Sequence, residues 1–191
     1  MDYKKFKEIK DKYGDCGSWA IWAEEGKKPK SNVGDISIFD TNRNPSLIQN
    51  LKPEFVFVGL NFSKINETTP FANFHSKSST AQDFKIRYAL RDTKYWGSYM
   101  TDIIKNFEEI SSKNMMMALK SDQSLLEKNL ETFEDELKFL GVENKLIVAF
   151  GNDVFEILKN GYRDKYNIKK IPHYSHFMSK EDYREKVSLL I

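Results

Sequence analysis

Residues 55–63 read FVFVGLNFS, and the placement of everything else in the chain follows from them. Phe55, Val56, Phe57 and Val58 form a short, uncharged run of aromatic and β-branched residues, the composition of a core strand. Gly59 and Leu60 carry the run to Asn61, Phe62 and Ser63, where a polar stretch rich in Ser, Thr, Asn and Lys begins and continues to Thr80. A long polar loop inside a compact domain is commonly functional, and this one follows directly from the end of a strand.

Working outward, residues 98–104 (SYMTDII) and 145–150 (KLIVAF) read as two further core strands. Residues 168–172 (IKKIP) read as a fourth strand, closed by a proline that lacks an N–H for the ladder. Between the second and third strands, Leu126, Leu130, Phe133, Leu137 and Leu140 recur at spacings of four and three, one face of a helix, with Asp122 as N-cap and Gly141 as stop. After the third strand, Gly151, Asn152 and Asp153 lead into Val154, Phe155, Ile157 and Leu158, a strand, turn and helix. Alternating strands and helices imply a mainly parallel sheet covered on both faces. The first fifty residues read as a helical and loop segment packed on the domain, with Trp19 and Trp22 three apart on a helix. The run Met115, Met116 and Met117 reads as core filler or a loose connection.

The 191 residues suit one domain, residues 1–191, whose core needs no disulfide or metal staple. Cys16 is the lone cysteine, which excludes an internal disulfide and an iron–sulfur or cysteine-type zinc site. The charged start MDYKKFKEIKDKYG has no apolar signal core, and no apolar run is long enough to span a bilayer, so a cytoplasmic monomer without membrane contact is expected. Thirty basic against 28 acidic residues leave a formal charge of +2, so any contact with nucleic acid must come from local patches.

In a parallel sheet the strands' carboxyl ends, where ligands bind, gather Asn61 and Phe62, Asp102, Gly151, Asn152 and Asp153, then His173, Tyr174, Ser175 and His176. Each of these taken singly is also what a solvated loop contains. His173 and His176 have the spacing of metal ligands, but no third ligand accompanies them, so neither a metal nor another cofactor is expected.

In this order VFVGLNFS, PFANFH, YMTDIIK, LIVAFGNDVFEIL and IPHYSHF resemble the motifs of the uracil-DNA glycosylase superfamily, over Phe55 to Phe177. The resemblance implies a three-layer α/β/α domain with a four-stranded, mainly parallel sheet of order 2-1-3-4. It also implies hydrolysis of the N-glycosidic bond of a damaged or deaminated base flipped out of DNA. Asn61 matches the residue that positions the attacking water, and Phe62 replaces the proline that usually follows. Phe71 matches the aromatic that stacks on the base, with a core aromatic as the equal alternative. Asp102 stands where the family reads the base with Asn. His173 and Ser175 match the last motif, Tyr174 replacing its proline; the histidine stabilises charge on the base O2. Ser63, Lys64, Ser175 and His176 are the DNA contacts expected at the loop tips, with Lys77, Lys85, Arg87, Arg91, Lys94, Arg163, Lys165, Lys169 and Lys170 as further phosphate candidates.

Asp102 is the departure with chemical consequences. An ionised carboxylate only accepts hydrogen bonds, whereas Asn both donates and accepts. Three readings stand: a carboxyl protonated through burial mimics Asn; an ionised one grips a base edge with two adjacent donors, as in guanine; or Asp102 is structural. The alternative function is a non-catalytic nucleic-acid or nucleotide-binding homologue. A third reading is an interaction domain built on the first fifty residues.

Overall fold

The computed structural model describes residues 1–61, 69–105, 107, 109, 111–141, 145–162 and 165–189. Its centre is strand β2 (Lys52–Asn61), flanked in parallel by β3 (Ser98–Ile104) and β4 (Leu146–Phe150), with β5 (Asn167–Ile171) parallel to β4. These four strands lie in the expected order, the second beside the first, then the third and fourth. The sheet has five strands rather than four, however, because β1 (Gly17–Trp19) adds an antiparallel edge to β3. Trp19 therefore lies on a strand and not on a helix. Gly17 is needed there: a Cβ on it would sit 1.9 Å from the Tyr99 hydroxyl.

Alternation along the strands divides the core into two layers. Val56, Val58, Tyr99, Ile147 and Ala149 face one side. There α1 (Tyr3–Tyr13), α4 (Ser112–Ser121), α5 (Gln123–Phe139) and α6 (Asn152–Tyr162) bury Phe6, Ile9, Leu119, Phe133, Leu137 and Leu158. Phe57, Met100, Val148 and Phe150 face the other side, against Ile86 and Leu90 of α3 (Asp83–Leu90) and Tyr183 and Val187 of α7 (Lys180–Ser188). A short α2 (Leu47–Asn50) precedes β2. The result is three layers, α/β/α, and burying each such aromatic or branched side chain contributes roughly 1.5–3 kcal/mol.

The helix boundaries reflect local chemistry. The Asp122 carboxylate caps α5 by accepting from the Leu125 N–H at 3.1 Å, and Gly141, at φ +71°, comes just after the helix end. In the methionine run Met115 is fully buried and Met117 is exposed, so the run belongs to a helix whose one face is core. No described helix is long and apolar enough to cross a membrane.

Candidate functional site

Strand order reverses at β2, the point at which a crevice opens outside the carboxyl ends of an open α/β sheet. Asp102 lies there, 4% exposed, directly across the ladder from Gly59. A Cβ at Gly59 would come within 2.1 Å of Asp102 Oδ1, so glycine in GLN makes the room in which the carboxylate sits. The other carboxylate oxygen, Oδ2, accepts a 2.9 Å hydrogen bond from Asn73 Nδ2, which also donates to the Cys16 carbonyl at 3.0 Å. Asn73 Oδ1 accepts the Phe74 N–H, so the amide's orientation is fixed from both ends. Burial pushes the Asp102 carboxyl up to about 6, against the lowering effects of Asn73 and Lys105. Because Asn73 presents N–H to Oδ2, the proton of the neutral form belongs on Oδ1. That atom accepts a hydrogen bond when Asp102 is ionised and donates one when it is neutral.

The segment that carries Asn73 is under backbone strain. Phe71 (φ +66°) and Phe74 (φ +62°) both occupy the left-handed region, at about 1–3 kcal/mol each. The N-terminal segment holds this conformation. Phe71 N donates to the Gly14 carbonyl, Ser18 Oγ to the Phe71 carbonyl and Trp22 Nε1 to the Phe74 carbonyl, while His75 Nε2 lies 2.9 Å from the Ile21 carbonyl. The Phe71 ring is completely buried between Phe6 and Phe39, with ring centroids 5.6 and 5.4 Å away. Of its two readings, base-stacking or core aromatic, the core one is correct, because α1 closes over it. Phe74, three residues on, is the aromatic beside the carboxylate: its Cζ lies 3.5 Å from the position a Gly59 Cβ would take.

Phe74 packs on Phe150 and Tyr174, and these in turn touch His173, stacked on Tyr174 at 4.3 Å. This aromatic group joins Asp102 to the loop after β5. Burial pushes His173 down to about 4, so its imidazole is neutral at neutral pH. Its Nδ1 accepts the Ser175 backbone N–H at 3.2 Å and lies 2.7 Å from Ser175 Oγ, which places the ring proton on Nε2. Ser175 and His176 are exposed, and the Lys85 ammonium donates to the His176 carbonyl at 3.0 Å, tying the loop to α3.

Asn61 ends β2, and its Nδ2 donates to the carbonyls of Glu109 (2.8 Å) and Phe107 (3.4 Å). Its amide nitrogen thus tethers the strand end to the segment after β3. Phe62, Ser63, Lys64 and Arg163 lie outside the described residues. Among the phosphate candidates Arg87 is a correction. It is 1% exposed and donates to the carbonyls of Ala23, Pro29 and Ser31, because it anchors the N-terminal segment on α3. Lys165 is bound to Glu134, Lys170 to Asn152 and Arg91 faces Glu25, whereas Lys77 is exposed.

The sequence reading missed Asn73, Phe74 and Phe177. Asn73 had a signal, a lone amide between aromatics in PFANFH. Phe177 had another, an aromatic four residues beyond His173, and it is fully exposed. Two clefts, of about 610 and about 590 Å³, are lined by other residues, the first from within 30–37 and 76–84, the second around Trp22 and Trp96. Neither includes Asp102 or His173, and the buried polar chemistry lies at the carboxyl edge of the sheet. Among the described residues no three His, Cys, Asp or Glu side chains converge as metal ligands. Comparison with protein-family models, with curated proteins and with solved structures finds no match.

Proposed function

We propose that the chain is a DNA base-excision glycosylase-like protein that hydrolyses the N-glycosidic bond of a flipped, damaged or deaminated base. The observation that carries this reading is the pairing, across one aromatic group, of a neutral His173 with its proton on Nε2 and a buried Asp102 held by Asn73. A donor fixed before the reaction suits charge that develops on a leaving base, since it needs no reorganisation when the bond breaks. Water adds to the sugar's anomeric carbon as the bond to the base breaks; the bonding pair passes to the base, where His173 Nε2–H stabilises it, and the proton that the water gives up ends on the base, which leaves neutral. Asn61, at the carboxyl end of β2, takes the part of the residue that positions that water. Asp102 Oδ1 reads the base edge, and Phe74 and Tyr174 border it. Phe177, exposed at the loop tip, is placed to enter the stack that the flipped base has left.

The engaged amide of Asn61 also favours a second reading, a nucleic-acid or nucleotide-binding homologue without turnover. Both are tested by incubating the protein with single- and double-stranded oligonucleotides that carry uracil, hypoxanthine, xanthine or a mismatched base. Alkali-labile abasic sites that fall by about 10²- to 10³-fold in His173→Ala establish the enzyme. Base-dependent binding with no product from any lesion establishes the binding protein.

A further inference from the structure

The 610 Å³ cleft has a composition that the candidate site does not use. Lys30 lines the cleft, and its ammonium donates to the Ser79 carbonyl at 2.6 Å and lies 5.4 Å from the centre of the Phe84 ring. Lys77 lines it too, its Cα and Cγ packed so closely on Gly34 that a Cβ there would come within 2.4 Å. Ser76 and Ser78 are also in its lining, and Asp35 is its one acidic residue, its carboxylate taken up by the Ser37 N–H. Both lysine side chains are exposed, and the positive potential at the cleft reaches Lys85, whose pKa is lowered by burial and then by Lys30.

Two connections join this cleft to the candidate site. Ser76 is three residues from Asn73, a span of at most about 11 Å of extended chain, and its N–H is held by Asp83 at the start of α3 at 2.8 Å. On the same turn of α3, Phe84 forms part of the cleft while Lys85 holds the His176 carbonyl. The cleft and the His173 loop therefore share one rigid support.

We propose that the cleft holds the sugar–phosphate backbone of a nucleic-acid strand running past the His173 loop, with phosphates on Lys30 and Lys77 and a sugar or base against Phe84. The proposal rests on the nucleic-acid reading of the site. Each lysine that neutralises a phosphate releases counterions and steepens the salt dependence of binding by about 0.7 for a single strand.

The test is fluorescence anisotropy of a labelled single-stranded 20-mer DNA titrated with protein at several KCl concentrations. Lys30→Gln with Lys77→Gln is compared with wild type and with Lys120→Gln/Lys128→Gln on α4 and α5. The expected result is several-fold weaker binding at low salt and a slope of log K against log salt shallower by about 1.4, with the control pair unchanged. If wild type binds and the cleft variant keeps its slope, the cleft is not the strand's path although the functional reading stands. Absence of binding by wild type to any oligonucleotide overturns both.

Discussion

Asp102 carries a charge where the sheet is nearly dry, and the residues around it show how that is tolerated. Gly59 leaves room, Asn73 supplies one hydrogen bond, and burial still raises the carboxyl from 3.8 to about 6. The folded protein holds this proton more tightly than the unfolded chain does. Ionisation therefore costs stability progressively as pH rises from about 4 to 6, and the cost is fully present above 6. For a displacement of this size the cost is about 3 kcal/mol. Asp102→Asn removes the charge and keeps an acceptor for Asn73 Nδ2, so its melting temperature should exceed that of wild type by about 6–12 °C at pH 8 and by nothing at pH 4. Thermal denaturation at both pH values measures this. An equal difference at the two would show that ionisation of Asp102 is not what destabilises the native state. The residue itself was legible in SYMTDII as a lone charge in an apolar strand, whereas the amide of Asn73 stood out in PFANFH without its partner, since nothing in sequence spacing brings a loop residue 29 positions away to Oδ2.

Among the elements, β3 shows why a short apolar run found the strand and missed its chemistry. Tyr99 and Thr101 face α5, where both hydroxyls donate to Glu136 Oε1, at 2.6 and 3.0 Å. Lys105, just past the strand, pairs with Glu136 Oε2 at 2.7 Å and donates to the Asp102 carbonyl, also at 2.7 Å. Glu136 is fully buried and Lys105 is 6% exposed, so the pair locks the carboxyl end of β3, which carries Asp102, to α5. Burial opposes the charge on Lys105, yet Glu136, together with Cys16 and Asp102, outweighs it and raises the lysine's pKa. Removing one partner of such a pair strands the other. Lys105→Met should cost about 3–5 kcal/mol in urea denaturation, and Lys105→Met/Glu136→Gln should recover most of it while keeping an acceptor for the two hydroxyls. A double variant no more stable than the single would mean that packing of the Lys105 stem, not its charge, is what β3 needs. Glu136 lies three residues from Phe133 on the apolar face of α5, and that misplaced charge was the visible signal; its partner, far away in the chain at Lys105, was not. Edge strand β1 escaped for a similar reason: its three residues are strand only because β3 offers an unpaired edge.

For the whole molecule, the strands were legible from their short apolar or β-branched runs and their order was implied by the family resemblance alone, but the role of the first fifty residues was not legible. They are the clamp on the site. The stretch from Gly14 to Trp22 provides the contacts that hold Phe71 to His75 in place, and with them Asn73 and Phe74. Arg87 secures the next part of the chain, its guanidinium reaching from α3 to three backbone carbonyls between Ala23 and Ser31. Sequence analysis offers Arg87 as a phosphate contact because arginine side chains are ordinarily exposed. Here its side chain is buried, and its three hydrogen bonds carry a charge, each worth about 1.5–3 kcal/mol when made. Arg87→Met keeps the apolar stem and deletes all three. Hydrogen exchange measured by mass spectrometry should then speed up first in residues 23–33, and next in residues 71–76, because the clamp and the strained loop are hydrogen-bonded to each other. Acceleration confined to residues 23–33 would make the N-terminal segment a passive cover; acceleration in both makes it the part of the fold that keeps Asn73 on Asp102.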